Sequence, residues 1–152
     1  MHLFFYGTLT HERANPIARA VLPLLRPVGR ASVAGRLFAV GTAAGWYPAL
    51  VAGPGRVTGW VYRTGAGFDP AALARLDAYE DYAPARPRSS EYLRRRLPVR
   101  LARGGRVLAQ AYLWNRAVRP GMVAIPGGNF AAWLREPVRS GSLRLAFAEE
   151  SD

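Results

Sequence analysis

Glu80 stands where an amphipathic helix would carry an apolar residue. Asp69 is an N-cap type, Pro70 suits a first helical position, and Ala71, Ala72, Leu73, Ala74 and Leu76 are strong helix formers. The spacing predicts a helix from Pro70 to Tyr79. Counting about 100° per residue from Leu73, Leu76 falls at about −60°, Asp77 at about +40° and Glu80 at about −20°. Glu80 therefore points between two leucines, at the helix C-terminal end. Burial and the negative end of the helix dipole both disfavour the charged carboxylate and raise its pKa, which is how a general base is made. The helix alone leaves a second reading open, a frayed end with Glu80 turned to solvent.

The chemistry would need a partner for the negative charge of a substrate, and the N-terminus offers one. Leu3-Phe4-Phe5-Tyr6 reads as a buried strand, and Gly7 breaks it before Thr8, Leu9 and Thr10. A strand that turns sharply at a glycine presents successive backbone N–H groups, which can hold a carboxylate or an oxyanion. An ordinary strand-to-turn start has the same pattern, so this segment too stays open on its own.

Other chemistries find few candidates. The 152-residue chain has no cysteine, so disulfides, thiol nucleophiles and cysteine-ligated metals are excluded. His2 and His11 have no partner at metal-ligand spacing. No Gly-x-Ser-x-Gly elbow occurs, and Gly53-Pro54-Gly55 and Gly65-Ala66-Gly67 read as turns rather than phosphate loops. No metal or cofactor is expected. The net charge is +11 and all 21 basic residues are arginine. They are spread along the chain apart from Arg86, Arg88, Arg94, Arg95, Arg96 and Arg100, and no nucleic-acid recognition motif accompanies them, so no specific nucleic-acid partner is expected. The apolar run at the N-terminus is too short for a secretory signal, and no stretch approaches the roughly 20 apolar residues of a membrane span. These features fit a cytoplasmic protein.

The elements that must position these residues follow from period and punctuation. Strands are expected at His2 to Tyr6, Val33 to Val40 with a bulge at Gly35, Trp46 to Ala52, Val57 to Arg63, Tyr92 to Leu101 and Val107 to Trp114. Asn15 to Leu25 has helical character broken by Pro16 and Pro23, and Phe130 to Arg135 reads as a short helix. Gly53-Pro54-Gly55 is expected to turn the chain, and Arg103-Gly104-Gly105-Arg106 to close a hairpin. The arginine-bearing side of Tyr92 to Leu101 reads as a solvated face. About six strands with few helices make an α+β protein with a mostly antiparallel, closed or half-closed sheet, in one domain over residues 1–152.

Several of these segments, in this order, resemble the γ-glutamylcyclotransferase-like proteins, which include the AIG2-like proteins and the γ-glutamylamine cyclotransferases. They are Tyr6-Gly7-Thr8-Leu9, the stretch from Gly45 to Val51, the stretch from Val57 to Tyr62, Leu76-Asp77-x-x-Glu80, and Tyr92 to Val99 with its Tyr-x-Arg start. The last forty or so residues carry no matching motif. The resemblance implies an enzyme that releases 5-oxoproline and an amine from a small γ-glutamyl compound, without cofactor. It implies Glu80 as general acid and base, with Asp77 structural. Main-chain N–H groups of Gly7, Thr8 and Leu9 would hold the glutamyl carboxylate or the oxyanion, and Tyr6 would form the pocket wall. Trp46, Tyr47 and Tyr112 are candidates for the pocket or the core. In the Asp81 to Ser90 loop, Arg86 and Arg88 outnumber Asp81 and favour an acidic or neutral leaving group. The competing class is a small-molecule-binding module of the same fold without catalysis.

Overall fold

A computed structural model of the chain describes residues 1–7, 16–43 and 45–136. Among these, β1 (His2–Phe5), α1 (Pro16–Val21), β2 (Leu25–Thr42), β3 (Gly45–Thr64), α2 (Pro70–Tyr79), β4 (Tyr92–Leu101), β5 (Arg106–Trp114), β6 (Val123–Ala124) and α3 (Phe130–Arg135) follow in order. Short 3₁₀ turns at Leu22–Leu24 and Pro87–Ser89 punctuate them, each begun by a proline at its first or second position. The strands run β3-β1-β5-β4-β2, and β2 pairs back onto β3, so five strands close into a barrel with β6 added outside on β2. The sheet is mixed: β1 runs parallel to β5, and the other pairings are antiparallel.

β1 explains its own sequence. Wedged between β3 and β5, it buries both faces, with Leu3, Phe4 and Phe5 at 0, 1 and 5 % exposure. Continuous rather than alternating apolarity is what such a strand requires. Phe4 joins Val33, Val57, Val61 and Val99 in one core cluster, while Leu3 and Phe5 join Val40, Leu76 and Tyr92 in the other. Through Leu76 that second cluster docks α2.

The largest departure from the sequence reading is the β2–β3 hairpin. Gly53-Pro54-Gly55 does not reverse the chain; β3 runs through it, and the expected strands Trp46 to Ala52 and Val57 to Arg63 are two halves of one strand. Register jumps from Ala34↔Arg56 to Arg36↔Val51, so residues 52–55 bulge out opposite Gly35. The breaker residues bend a long ribbon that partner strands hold on both sides, which is what closing a barrel needs. The Gly35 bulge lies where the sequence places it, although β2 itself extends well beyond Val33 to Val40 on both sides.

Candidate active site

Helix α2 delivers the proposed base through its ending. Asp69 caps the start, its Oδ1 accepting the Ala72 N–H at 2.9 Å. The end is a Schellman motif: the Tyr82 N–H donates to the Asp77 carbonyl at 2.8 Å and the Asp81 N–H to that of Ala78 at 3.1 Å. Asp81 takes the left-handed conformation at φ 52°, a place usually given to glycine. Glu80 sits between them as C-cap, its own N–H held by the Leu76 carbonyl at 3.1 Å. This is no frayed end.

Glu80 lines a cavity of about 280 Å³ together with Tyr6, Gly7, Asp81 and Glu91. Tyr47, Tyr92 and Tyr112 are also on its walls, whereas Trp46 is not and packs edge-on against Trp133. Burial first, and the Glu91 charge second, push the Glu80 carboxyl up to about 8. A carboxylic acid so placed exchanges a proton near neutral pH. Thr8 and Leu9 lie outside the described residues. Gly7 needs to be glycine for a packing reason: a Cβ there would strike the Pro48 ring, with Cδ at 3.0 Å.

The tyrosines are scaffold. The Tyr6 hydroxyl donates to the Tyr112 carbonyl, and the Tyr92 hydroxyl to that of Pro48 at 2.6 Å. The Tyr112 hydroxyl donates to Asp77 Oδ1 at 2.7 Å. Burial raises all three well above the ordinary tyrosine range, so none trades protons near neutrality. Asp77 also receives Arg94 in a forked pair, Nε to Oδ1 at 2.9 Å and Nη2 to Oδ2 at 3.3 Å. Asp77 is thus the buried buttress between α2 and the β4–β5 pair. Arg94 is correspondingly not part of a solvated face: its strand turns Tyr92 and Arg94 inward and leaves Arg95, Arg96 and Arg100 exposed.

The rim corrects one expectation. Asp81 and Glu91 line the cavity, while Arg86 and Arg88 are exposed and do not. The described lining holds three carboxylates and no basic residue. Glu91 was not singled out from the sequence, yet a signal existed. Four of the ten acids, Asp77, Glu80, Asp81 and Glu91, fall within one short window of a chain with 21 arginines. Glu91 accepts a hydrogen bond from the Tyr47 side chain, whose pKa burial and this bond raise to about 12. Among the described residues no cluster could hold a metal ion, and no helix is long and apolar enough to cross a membrane.

The profile of the γ-glutamyl cyclotransferase, AIG2-like family matches residues 3–132. The chain belongs to that family. Among curated proteins no match is found. Among solved structures, protein ytfP from Escherichia coli is 29 % identical with a TM-score of 0.56, over 85 % of this chain and 95 % of that one. An AIG2-like protein from Mus musculus is 28 % identical with a TM-score of 0.55, over 76 % and 78 %. An uncharacterized protein from Pyrococcus horikoshii, at 20 % identity and a TM-score of 0.58 over 88 % and 92 %, shares the fold. The family match ends within α3, close to where the described residues end.

Proposed function

We propose that this chain is a γ-glutamyl cyclotransferase in which Glu80 is the general base and then the general acid. The observation that carries the reading is a carboxyl group raised to about 8, held by a fixed helix ending inside a cavity that also contains the Tyr6–Gly7 turn. The Glu80 carboxylate takes a proton from the substrate α-ammonium. The freed amine attacks the γ-carbonyl carbon, and the five-membered ring closes through a tetrahedral oxyanion. Main-chain N–H groups from Gly7 onward, those of Thr8 and Leu9 included, stabilise that oxyanion or anchor the α-carboxylate. The γ C–N bond then breaks as Glu80 returns its proton to the departing nitrogen. The ring nitrogen gives up its second proton to the freed amine by way of Glu80, and 5-oxoproline and an ammonium leave. The nucleophile belongs to the substrate, so the protein supplies the folded conformer, worth roughly 7–11 kcal/mol in well-oriented ring closures.

The two buried-side carboxylates divide the work. Glu91, hydrogen-bonded by Tyr47, raises the Glu80 carboxyl by its charge, and Glu80 is the group that exchanges the proton. With Asp81 beside them, the acidic rim supports a leaving amine that carries a further positive charge, in place of the acidic or neutral group that Arg86 and Arg88 favoured. Asp81 supports this from its backbone: a residue other than glycine at φ 52° points to a role for its side chain.

The test is a panel of γ-glutamyl-ε-lysine, a γ-glutamyl polyamine conjugate, γ-glutamyl-alanine and glutathione, assayed for 5-oxoproline release. We expect the first two to be turned over best. Glu80→Gln keeps shape and loses proton transfer, so release should fall about 10²–10⁴-fold with the fold intact. A mutant within a few-fold of wild type removes Glu80 from the role. Binding without turnover across the panel would instead make the chain a binding module.

A further inference from the structure

A second cavity, of about 400 Å³, shares Phe5 and Tyr6 with the first but has the opposite character. Arg30, Arg100 and Arg135 line it, and no carboxylate does among the described residues. Its volume falls in the roughly 300–1,000 Å³ range of small-molecule sites. Strand register builds it: Arg30 lies opposite Trp60, and Ser32 lies opposite both Thr58 and Arg100. The Arg30 guanidinium stacks over the Trp60 ring, 5.5 Å from its centre. Arg56 reaches over from β3 and donates to the Ser32 carbonyl at 2.9 Å and to its Oγ at 3.0 Å. Some desolvation, and then the charges of Arg100 and Arg106, press the Arg56 pKa down. Like charges are therefore crowded here, which costs stability and favours a bound anion. Unlike Arg94, which is paired with Asp77, these arginines converge on a concave surface that carries an indole.

We infer that this cavity is a binding site for a small organic phosphate bearing a planar ring, of the nucleotide type, distinct from the Glu80 pocket. Guanidinium groups match phosphate oxygens in forked pairs. Trp60, half-buried on the wall, supplies a face on which a ring stacks beside Arg30. Ser32 offers a hydroxyl, and Asn129 keeps its amide N–H donors because its Oδ1 is occupied in capping α3 through the Ala132 N–H at 2.9 Å. The inference stands on a different set of residues from the proposed catalysis and does not depend on it.

The experiment is calorimetric titration of the full chain with AMP, inorganic phosphate and adenosine at about 150 mM salt, where long-range attraction between exposed charges is largely screened. We expect saturable binding of AMP, weaker binding of phosphate, and about tenfold or greater loss of AMP affinity in Arg100→Ala and Arg30→Ala, the scale of a charged hydrogen bond. Arg100→Gln, at an exposed strand position, keeps the test valid if Arg30→Ala disturbs the Trp60 ring. Trp60→Leu should weaken AMP and leave phosphate unchanged. The control is Arg95→Ala with Arg96→Ala, two exposed β4 arginines outside the cavity, which should not alter AMP affinity. Absence of saturable AMP binding, indifference to Trp60, or an equal loss in the control would each overturn the proposal.

Discussion

The two cavities meet at Phe5 and Tyr6, yet one gathers Glu80, Asp81 and Glu91 and the other gathers Arg30, Arg100 and Arg135. Net charge does not account for both, since a chain of +11 would be expected to select anions everywhere. Local architecture decides. The acids arrive through a helix ending and the residue before β4, and Glu80 among them sits where burial moves its pKa. Arg30 and Arg100 arrive through strand register on an exposed face, and Arg135 through the last turn of α3. A buried carboxyl can change its charge near neutral pH; a guanidinium cannot. The first cavity is therefore suited to moving protons and the second to holding a fixed charge.

The largest expected effect comes from the wall they share. Gly59 lies on β3 against the end of β1, and a Cβ there would collide with the Phe5 carbonyl and lie 2.9 Å from the Tyr6 Cα. Gly59→Val should shift β1 and spoil both cavities together. Overpacking of this kind typically costs about 1–3 kcal/mol, and a chain of this size loses roughly 2–4 °C in Tm per kcal/mol. Loss of 5-oxoproline release with AMP affinity and Tm intact would show that the two cavities do not share this support.

A mid-sized effect separates the cavities. Glu91→Gln removes the like charge beside Glu80, so the Glu80 pKa should fall below its present value of about 8. The acid limb of kcat/KM should move to lower pH, because the base is the ionised form. The same change should cut the preference for γ-glutamyl-ε-lysine over γ-glutamyl-alanine by about 3–10-fold, the scale of one partly screened ion pair. AMP affinity should not change. An unmoved pH profile would sever Glu91 from Glu80, and an unmoved preference would remove it from leaving-group selection.

How legible this was in the sequence differs between the two sites for a physical reason. Glu80 could be found because helical rotation is a local property, and the rotation from Leu76 to Glu80 does not depend on what packs against it. The buried stripe is nonetheless turned from the one read from Leu73: Ala72, Leu76 and Asp77 are buried and Leu73 is only half-buried. Asp77 therefore lies inside the stripe, where only its partners Arg94 and Tyr112 make a buried carboxylate tolerable. Those partners come from β4 and β5, and no local pattern names them. Gly53-Pro54-Gly55 misled for a related reason, since turn chemistry was overridden by strands paired on either side. The arginine cavity is a product of long-range placement: register sets Arg30 beside Trp60 and Ser32 beside Arg100, and α3 adds Asn129 and Arg135, at sequence separations no motif spans.

The smallest expected effect tests the titration contrast without needing a substrate. Glu80 titrates at about 8 in the folded chain, against an ordinary value near 4.5 when unfolded. Between these values the native state keeps a proton that the unfolded chain has lost. Stability from this group is fully present below about 4.5 and is lost as pH rises through about 8, with a slope of at most roughly 1.4 kcal/mol per pH unit. Glu80→Gln cannot ionise, so its stability should fall less over the same interval, and other groups cancel in the comparison. Arg100→Ala should instead run parallel to wild type, because a guanidinium stays charged in both states throughout. Denaturant melts of the three proteins between pH 5 and 9 measure this directly. Parallel curves for wild type and Glu80→Gln would mean that the carboxyl is solvated in the folded chain, and the distinction between a titrating cavity and a fixed one would fail at its first member.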